Sequence, residues 1–183
     1  MAVQVEGILS NFLRKKRIGA ALPFLKGRVI DIGCGIGELA EFIDPEKYFG
    51  SDKDVESVNM AKRKYPHHTF YKLEGYCDIY KEFDTVVALA VLEHVENPVD
   101  FLIYLKSLLK KEGSIVLTTP HPRSRLIHKF GSWIGLFSYR AEKEHQLLIG
   151  TKKMVEIAHE ANLKMNISKT FLLGMNQLFI LGM

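Results

Sequence analysis

The sequence predicts an α/β fold with a mostly parallel sheet and helices on both faces. Segments with the apolar, β-branched character of buried strands alternate with segments whose apolar residues recur at helical spacing. The clearest unit starts with the strand Val29–Ile32, turns through three closely spaced glycines and continues into a predicted helix. The composition agrees, because 183 residues with 47% hydrophobic and 25% charged content suffice for one ordinary core. We therefore expect a single domain over residues 1–183.

The charge, cysteine content and hydropathy narrow the class of protein. A net charge of +4 is mild, and the basic clusters at 14–17, 62–64 and 123–129 are more typical of solvated helix faces than of a nucleic-acid surface. Two cysteines, Cys34 and Cys77, make no disulfide framework and favour a reducing compartment. No apolar run reaches the length of a membrane span, and the basic cluster follows the first apolar residues, the reverse of a secretion signal. We expect a cytoplasmic protein with no transmembrane segment.

The glycine turn is the most informative stretch of the chain. Gly33, Gly35 and Gly37 allow a sharp turn and let a ligand lie directly on the backbone, and the predicted helix after them would point free N–H groups at that ligand. The spacing differs from the dinucleotide pattern G-x-G-x-x-G. Asp31 precedes the turn, and its carboxylate would repel a pyrophosphate but suits an amino or sulfonium group. A nicotinamide or flavin fold remains the alternative at this point.

A second acidic residue ends the next predicted strand, 47–52. Asp52 follows Asp31 by 21 residues, and in a right-handed βαβ unit the ends of two such parallel strands lie side by side. A carboxylate there can accept hydrogen bonds from both hydroxyl groups of a cofactor ribose. Asp54 is predicted to cap a helix that ends at Lys64.

The remaining elements follow from apolar patterns and capping signals. Asn97-Pro98 predicts a helix start, and the cations and glycine of 110–113 predict its end. We predict a leading helix within residues 1–25 and a lid-like insertion over residues 121–150 that covers the open end of the sheet. The other predicted elements are strands 68–72, 82–90, 114–119, 162–173 and 175–181 and a helix that Thr151 caps and that extends to Ala161.

Two motifs carry a resemblance to a known family. The stretch 31–37, Asp-Ile-Gly-Cys-Gly-Ile-Gly, resembles the first motif of class I S-adenosylmethionine-dependent methyltransferases. Residues 83–87 and 92–95, Phe-Asp-Thr-Val-Val and Leu-Glu-His-Val, resemble the type 11, quinone-biosynthesis branch of that class. The resemblance covers roughly residues 28–120. It implies a Rossmann-like, seven-stranded sheet in the order 3-2-1-4-5-7-6 with the last strand antiparallel.

The same resemblance implies S-adenosylmethionine as cofactor and S-adenosylhomocysteine as product. It places cofactor contacts in the glycine turn and its neighbouring strand ends, with Tyr76 available to stack on the adenine. The implied cofactor residues are Asp31, Gly33, Cys34, Gly35, Gly37, Asp52, Lys53, Tyr76, Cys77, Leu89 and Ala90. In related enzymes a basic residue of the leading helix can reach the methionine carboxylate, and Arg17 is a candidate.

Methyl transfer to an oxygen acceptor of high pKa requires a general base. The candidates are His94, after the fourth strand, and His121 and His145, which bracket the insertion. Glu93-His94 resembles part of the metal cluster of small-RNA 2′-O-methyltransferases. That pattern wants a glutamate where this chain has Ala90, so we expect no metal.

The leading hypothesis is an enzyme that methylates an aromatic or lipid-like small molecule, since the insertion is rich in aromatic residues. The first alternative is an RNA or other nucleic-acid methyltransferase that uses the basic clusters. The second is a non-catalytic subunit that binds the cofactor and stabilises a partner. Neither the acceptor nor the oligomeric state follows from the sequence.

Overall fold

The computed structural model describes residues 2–73, 83–122 and 149–183, and the side chains of its first helix from residue 10 onward. Seven strands form one sheet in the order β3-β2-β1-β4-β5-β7-β6. The first five strands run parallel, and β7 is antiparallel to both β5 and β6. The predicted fold class, strand order and antiparallel last strand are confirmed. The predicted insertion over 121–150 lies outside the described residues except at its two ends.

The elements have the following bounds. The strands are β1 Val29–Ile32, β2 Tyr48–Asp52, β3 Thr69–Lys72, β4 Phe83–Leu89, β5 Leu109–Pro120, β6 Lys164–Phe171 and β7 Asn176–Gly182. The α-helices are α1 Ala2–Ala21, α2 Val55–Lys64, α3 Pro98–Ser107 and α4 Thr151–Glu160. Short 3₁₀ segments cover Leu22–Phe24, Glu38–Phe42 and Leu92–His94. Among the described residues, no helix combines the length and the hydrophobicity that crossing a bilayer requires.

The sheet separates two cores because successive side chains of a strand point to opposite faces. In β1, Val29 faces the core that contains the buried residues of α1 and α2, whereas Ile30 and Ile32 face the core that contains those of α3 and α4. All four residues of β1 are buried, as expected for a central parallel strand covered on both sides. Ligands of such sheets bind outside the carboxyl ends of the strands.

Two helix starts were predicted correctly from local signals. The Asp54 carboxylate accepts the backbone N–H groups of Glu56 and Ser57, which otherwise have no partner within the helix. The Asn97 amide oxygen does the same for Val99 and Asp100, and proline occupies the first helical position. Both caps depend on contacts within three residues, so the sequence alone defines them.

Three predicted boundaries were wrong. Thr151 is the first residue of α4 and not its cap, because Gly150 precedes the helix and no side chain caps it. The segment after the glycine turn is a five-residue 3₁₀ helix, Glu38–Phe42, too short to present the predicted α-helical dipole to a ligand. Residues 110–113 belong to β5 and do not end α3. The Lys110 ammonium lies 2.8 and 2.9 Å from the two Asp84 carboxylate oxygens, and a Cβ on Gly113 would meet the Phe83 carbonyl oxygen at 3.1 Å. The lysine and the glycine that resemble a helix end in the sequence therefore stabilise the pairing of β4 with β5.

The hairpin between β6 and β7 contains unusual backbone. Leu172, Leu173 and Gly174 have φ values of 52°, 54° and 80°, and the left-handed region is disfavoured for leucine. The turn lies beside the end of β5, because the His121 N–H donates to the Met175 carbonyl at 2.8 Å. Leu173 is fully exposed.

Candidate active site

The glycine turn joins β1 to the 3₁₀ segment, and each of its glycines has a positive φ, of 76°, 52° and 76°. A Cβ on Gly33 would lie 2.5 Å from Val91, and a Cβ on Gly37 would lie 2.7 Å from the Phe70 ring. A Cβ on Gly35 would meet nothing within 4 Å. Two of the glycines therefore permit close packing beneath the turn, while the third leaves the backbone open to a ligand.

Asp52 connects the end of β2 to this open position. Its Oδ2 accepts the Gly35 N–H at 2.7 Å, and its Oδ1 accepts the Asp54 N–H at 2.9 Å. The Ser51 carbonyl accepts the N–H groups of Gly33 and Cys34 at 2.7 and 3.1 Å. The half-buried Asp52 carboxylate thus lies beside the turn, and each oxygen retains acceptor capacity for a further donor.

Asp31 lies beneath the turn, in the core between the sheet and helices α1 and α2. It is 4% exposed, and the Tyr48 hydroxyl donates to its Oδ2 at 3.0 Å. Burial raises the pKa of Asp31 to about 7, the Tyr48 hydrogen bond opposes that rise, and the nearby Asp52 charge adds to it. A cationic group brought close to Asp31 would favour its ionised form.

Cys34 occupies the middle of the turn but is not a reactive thiol. Its Sγ lies 3.6 Å from the Gly35 carbonyl oxygen, and the side chain packs against the α1–α2 core. Burial, followed by the charges of Asp31 and Asp52, raises the pKa of the Cys34 thiol well above its usual range. The neutral thiol therefore acts as an apolar contact.

The carboxyl end of β4 contributes a second part of the site. Ala90 has a φ of 60°, which is uncommon for alanine, and its N–H donates to the Thr118 carbonyl of β5 at 2.8 Å. Glu93 follows in the next turn at 2% exposure. Within the part of the chain that the structure describes, neither Glu93 Oε2 nor Thr118 Oγ1 has a hydrogen-bond partner. Unsatisfied buried polar atoms at this edge fit a site that a polar ligand completes.

Glu93 and Arg17 form an electrostatic pair across the same edge. Burial raises the pKa of Glu93 to about 7, and the Arg17 charge opposes that rise. Burial lowers the pKa of the Arg17 guanidinium, which the Glu93 charge counteracts. Arg17 Nε also donates to Asn176 Oδ1 at 3.0 Å, so α1 is attached to the first residue of β7. Glu93 was noted in the sequence only within the 92–95 family motif and a metal pattern, because no local signal marks its burial.

The other predicted site residues are distributed as follows. Leu89 and Ala90 are half-buried at the end of β4, and Lys53 is exposed next to Asp52. His94 is exposed, and His121 is half-buried after β5. Tyr76, Cys77 and His145 lie outside the described residues. Within residues 2–73, 83–122 and 149–183, no three His, Cys, Asp or Glu side chains gather in a group that would hold a metal ion.

The residues at this edge fit a nucleoside that carries positive charge. The open backbone at Gly35 accommodates a ligand, and the adjacent Asp52 carboxylate suits two hydroxyl donors. Asp31 and Asp52 together disfavour a pyrophosphate and favour a cationic group. A sheet of this order, with a glycine turn after its first strand, defines the class I methyltransferase fold.

The comparison with known families agrees with this assignment. The sequence model of the family described as "Methyltransferase domain" matches residues 6–168. The chain belongs to this family, and the predicted class I, S-adenosylmethionine-dependent methyltransferase type is confirmed. Its cofactor is S-adenosylmethionine, as predicted.

Two curated relatives illustrate the range of acceptors among similar proteins. The mitochondrial ubiquinone biosynthesis O-methyltransferase of Dictyostelium discoideum is 32% identical over 117 residues, covering 54% of this chain and 36% of that protein. The tRNA U34 carboxymethyltransferase of Pseudoalteromonas translucida is 35% identical over 117 residues, covering 52% of this chain and 33% of that protein. The chain spans about a third of the length of these relatives.

A solved structure shows the same fold. It is a complex of the Haloferax volcanii Trm112 methyltransferase activator with a putative methyltransferase, and the matched chain gives a TM-score of 0.73 at 15% identity. The match covers 98% of this chain and 93% of that chain. At this level of identity the comparison extends to the fold alone.

Proposed function

We propose that the chain is a methyltransferase that acts on an aromatic or lipid-like small molecule, with the acceptor at the carboxyl ends of β4 and β5. S-adenosylmethionine supplies an activated methyl group on a sulfonium. The observation that carries the cofactor part of the proposal is the open backbone of Gly35 beside the Asp52 carboxylate. The aromatic residues in the sequence of 121–150 support the acceptor class. We propose that residues 1–183 act as one domain, with 121–150 as its cover.

The roles of the residues follow from their positions. We assign Asp52 to the two ribose hydroxyl groups and Asp31 to the ammonium group of the cofactor. The glycine turn, with Cys34 as an apolar contact, lies against the nucleoside, while Leu89 and Ala90 lie at the neighbouring strand end. Positioning carries most of such a reaction, since well-oriented groups reach effective molarities of about 10⁵–10⁸ M. An acceptor oxygen of high pKa needs a general base. Of the two candidate histidines that the structure describes, we assign this role to His121, because it is half-buried beside the β6–β7 hairpin whereas His94 is exposed.

The contacts of basic residues in α1 and α2 favour a small acceptor over a nucleic acid. Arg14 forms an ion pair with Glu38 at 2.8 Å, and Arg17 is half-buried and bonded to Asn176. Lys62, Arg63 and Lys64 occupy the last turn of α2, where cations stabilise the helix dipole. These basic residues thus have structural roles that require no phosphate backbone.

Cofactor binding is tested first, by calorimetric titration with S-adenosylmethionine, S-adenosylhomocysteine, NAD and FAD. We expect uptake of the first two only. Tight binding of NAD or FAD without either methionine-derived nucleoside would contradict the assignment.

Release of S-adenosylhomocysteine is then measured with phenols that carry or lack an alkyl tail, and with bulk tRNA. We expect turnover with phenols and a flat response to salt. Turnover with tRNA alone, with affinity that falls steeply with salt, would establish the nucleic-acid alternative. Binding of the cofactor without turnover on any acceptor would favour the non-catalytic subunit.

A further inference from the structure

We propose that Tyr48 is a positioning residue for cofactor binding, whose hydroxyl holds the Asp31 carboxyl beneath the glycine turn so that it meets the cofactor's ammonium group. This inference rests on the proposed function, because it assigns Asp31 to that ammonium group. It also implies that cofactor binding releases a proton from Asp31.

The contact between Tyr48 and Asp31 joins neighbouring strands. Asp31 of β1 pairs with Gly50 of β2, and Tyr48 lies two residues before Gly50 on the same face of the sheet. A Cβ on Gly50 would lie 3.0 Å from the Tyr48 hydroxyl oxygen and 2.5 Å from the Phe70 ring. Because Gly50 has no side chain, the Tyr48 ring can extend along its own strand, and its hydroxyl can reach Asp31.

Aromatic neighbours hold the Tyr48 ring in this position. Its centroid lies 5.6 Å from that of Phe70 and 5.7 Å from that of His68, both in edge-to-face geometry. The His68 Nε2 is itself bonded to the Ile43 carbonyl at 3.0 Å. Tyr48 is fully buried, so its hydroxyl has no access to bulk water as an alternative partner. The hydrogen bond to Asp31 is thus fixed by packing on several sides.

The charge state of Asp31 depends on the groups packed around it. Tyr48 stabilises the ionised carboxylate, while burial and the Asp52 charge from the end of β2 disfavour it. The Cys34 thiol of the glycine turn is neutral. Tyr65 and His68 interact with Tyr48, so Tyr48 lies between them and the Asp31 carboxyl. With a pKa of about 7, Asp31 is present in both its protonated and its ionised form near neutral pH. A cofactor ammonium group favours the ionised form, so that proton leaves on binding.

The test is calorimetric titration of the full chain with S-adenosylhomocysteine at pH 7, in buffers of different ionisation enthalpy. We expect release of a fraction of a proton per cofactor, and an affinity that rises with pH through the pKa of Asp31 and then levels off. Tyr48→Phe removes the hydrogen bond that favours ionisation. We expect the affinity of this variant for the cofactor to fall at least fivefold at pH 7 and to recover towards pH 9. The pH midpoint, at which the affinity is halfway through its rise, should move upward.

Tyr65→Phe is the matched control. The Tyr65 hydroxyl is buried in the same aromatic cluster and has no hydrogen-bond partner among the described residues. We expect this variant to keep the affinity, the proton release and the pH midpoint of the unchanged protein. A purely structural Tyr48 would lower the unfolding temperature of Tyr48→Phe while leaving its pH midpoint in place, which would overturn the inference.

Asp31→Asn separates this inference from the proposed function. We expect it to release no proton and to bind the cofactor weakly at every pH. If Asp31→Asn binds normally while the unchanged protein also binds, the inference fails and the proposed function stands. If the unchanged protein binds neither S-adenosylmethionine nor S-adenosylhomocysteine, both fail.

Discussion

Asp52 accepts the Gly35 N–H at 2.7 Å, across the gap between the end of β2 and the glycine turn after β1. The same carboxylate accepts the N–H of Asp54, the residue that caps α2. One side chain thus fixes the open position of the turn relative to the next helix. Its loss would affect both the shape of the turn and the acceptor for the proposed ribose.

We expect Asp52→Ala to weaken cofactor binding by at least tenfold, because hydrogen bonds to a charged group contribute about 1.5–3 kcal/mol each. Calorimetric titration measures this loss. Asp54→Ala is the matched control, since it removes a helix cap two residues away at a cost of about 1 kcal/mol in unfolding free energy. Equal affinities in the two variants would show that the ribose does not bind at Asp52.

Alanine at Gly35 and at Gly37 should have different consequences. Both positions have a positive φ, which costs an alanine about 1–2 kcal/mol. A Cβ on Gly37 also collides with the Phe70 ring, whereas one on Gly35 points into open space. We expect Gly37→Ala to have the lower free energy of unfolding in urea. Relative to its loss of unfolding free energy, Gly35→Ala should lose more cofactor affinity than Gly37→Ala. The reverse order would place the ligand elsewhere.

Glu93 should make the folded protein sensitive to pH. Its pKa is about 7 in the folded state and lies near 4.5 in the unfolded chain, so the folded state holds the proton more tightly. This contribution to stability is complete below about pH 4.5 and is lost as the pH rises to about 7. Asp31 acts in the same direction.

Glu93→Gln should therefore reduce, without abolishing, the fall in unfolding temperature between pH 5 and pH 8. The exposed Glu96 provides the control, and Glu96→Gln should retain the pH response of the unchanged protein. An identical pH response in the Glu93 variant would mean that Glu93 is ionised in the folded state throughout this range.

The hairpin between β6 and β7 offers a test of backbone strain. Leu173 has a φ of 54° and an exposed fraction of 101%, so replacing it loses no packing. Asparagine tolerates the left-handed region, and we expect Leu173→Asn to raise the free energy of unfolding by about 1 kcal/mol. Leu173→Ala keeps the disfavoured conformation and should show no such gain in chemical unfolding. Equal stabilities of the two variants would indicate that the turn is not strained.

Much of the fold was predictable because its signals are local. Asp54 and Asn97 cap their helices through contacts two or three residues away, and the placement of Asp31 near Asp52 follows from the pairing of two parallel strands joined by one short crossover. The start of β5 was not predictable, because the Lys110–Asp84 ion pair joins residues far apart in sequence. The pattern of residues 110–113 alone is indistinguishable from a helix end.

The candidate site was predictable only in part. The glycine turn and the position of Asp52 beside it were predictable, because the glycine spacing and the order of two neighbouring parallel strands are visible in the sequence. The contact of Tyr48 with Asp31 depends on the register of two strands and on the missing side chain at Gly50. The environment of the buried Glu93 carboxyl depends on where α1 packs, because the nearby Arg17 charge comes from a helix far away in the sequence. Neither relationship leaves a trace in residue spacing.

The Cys34 thiol in the glycine turn is expected to react poorly with alkylating agents. A sulfonium methyl donor is an alkylating agent, and a thiolate in the turn to which we assign the donor would compete with the acceptor for the methyl group. Burial keeps the Cys34 sulfur protonated, and a protonated thiol is a poor nucleophile. With the donor on this turn, as we propose, Cys34 would not be methylated by it, and we expect the thiol also to resist iodoacetamide and peroxide.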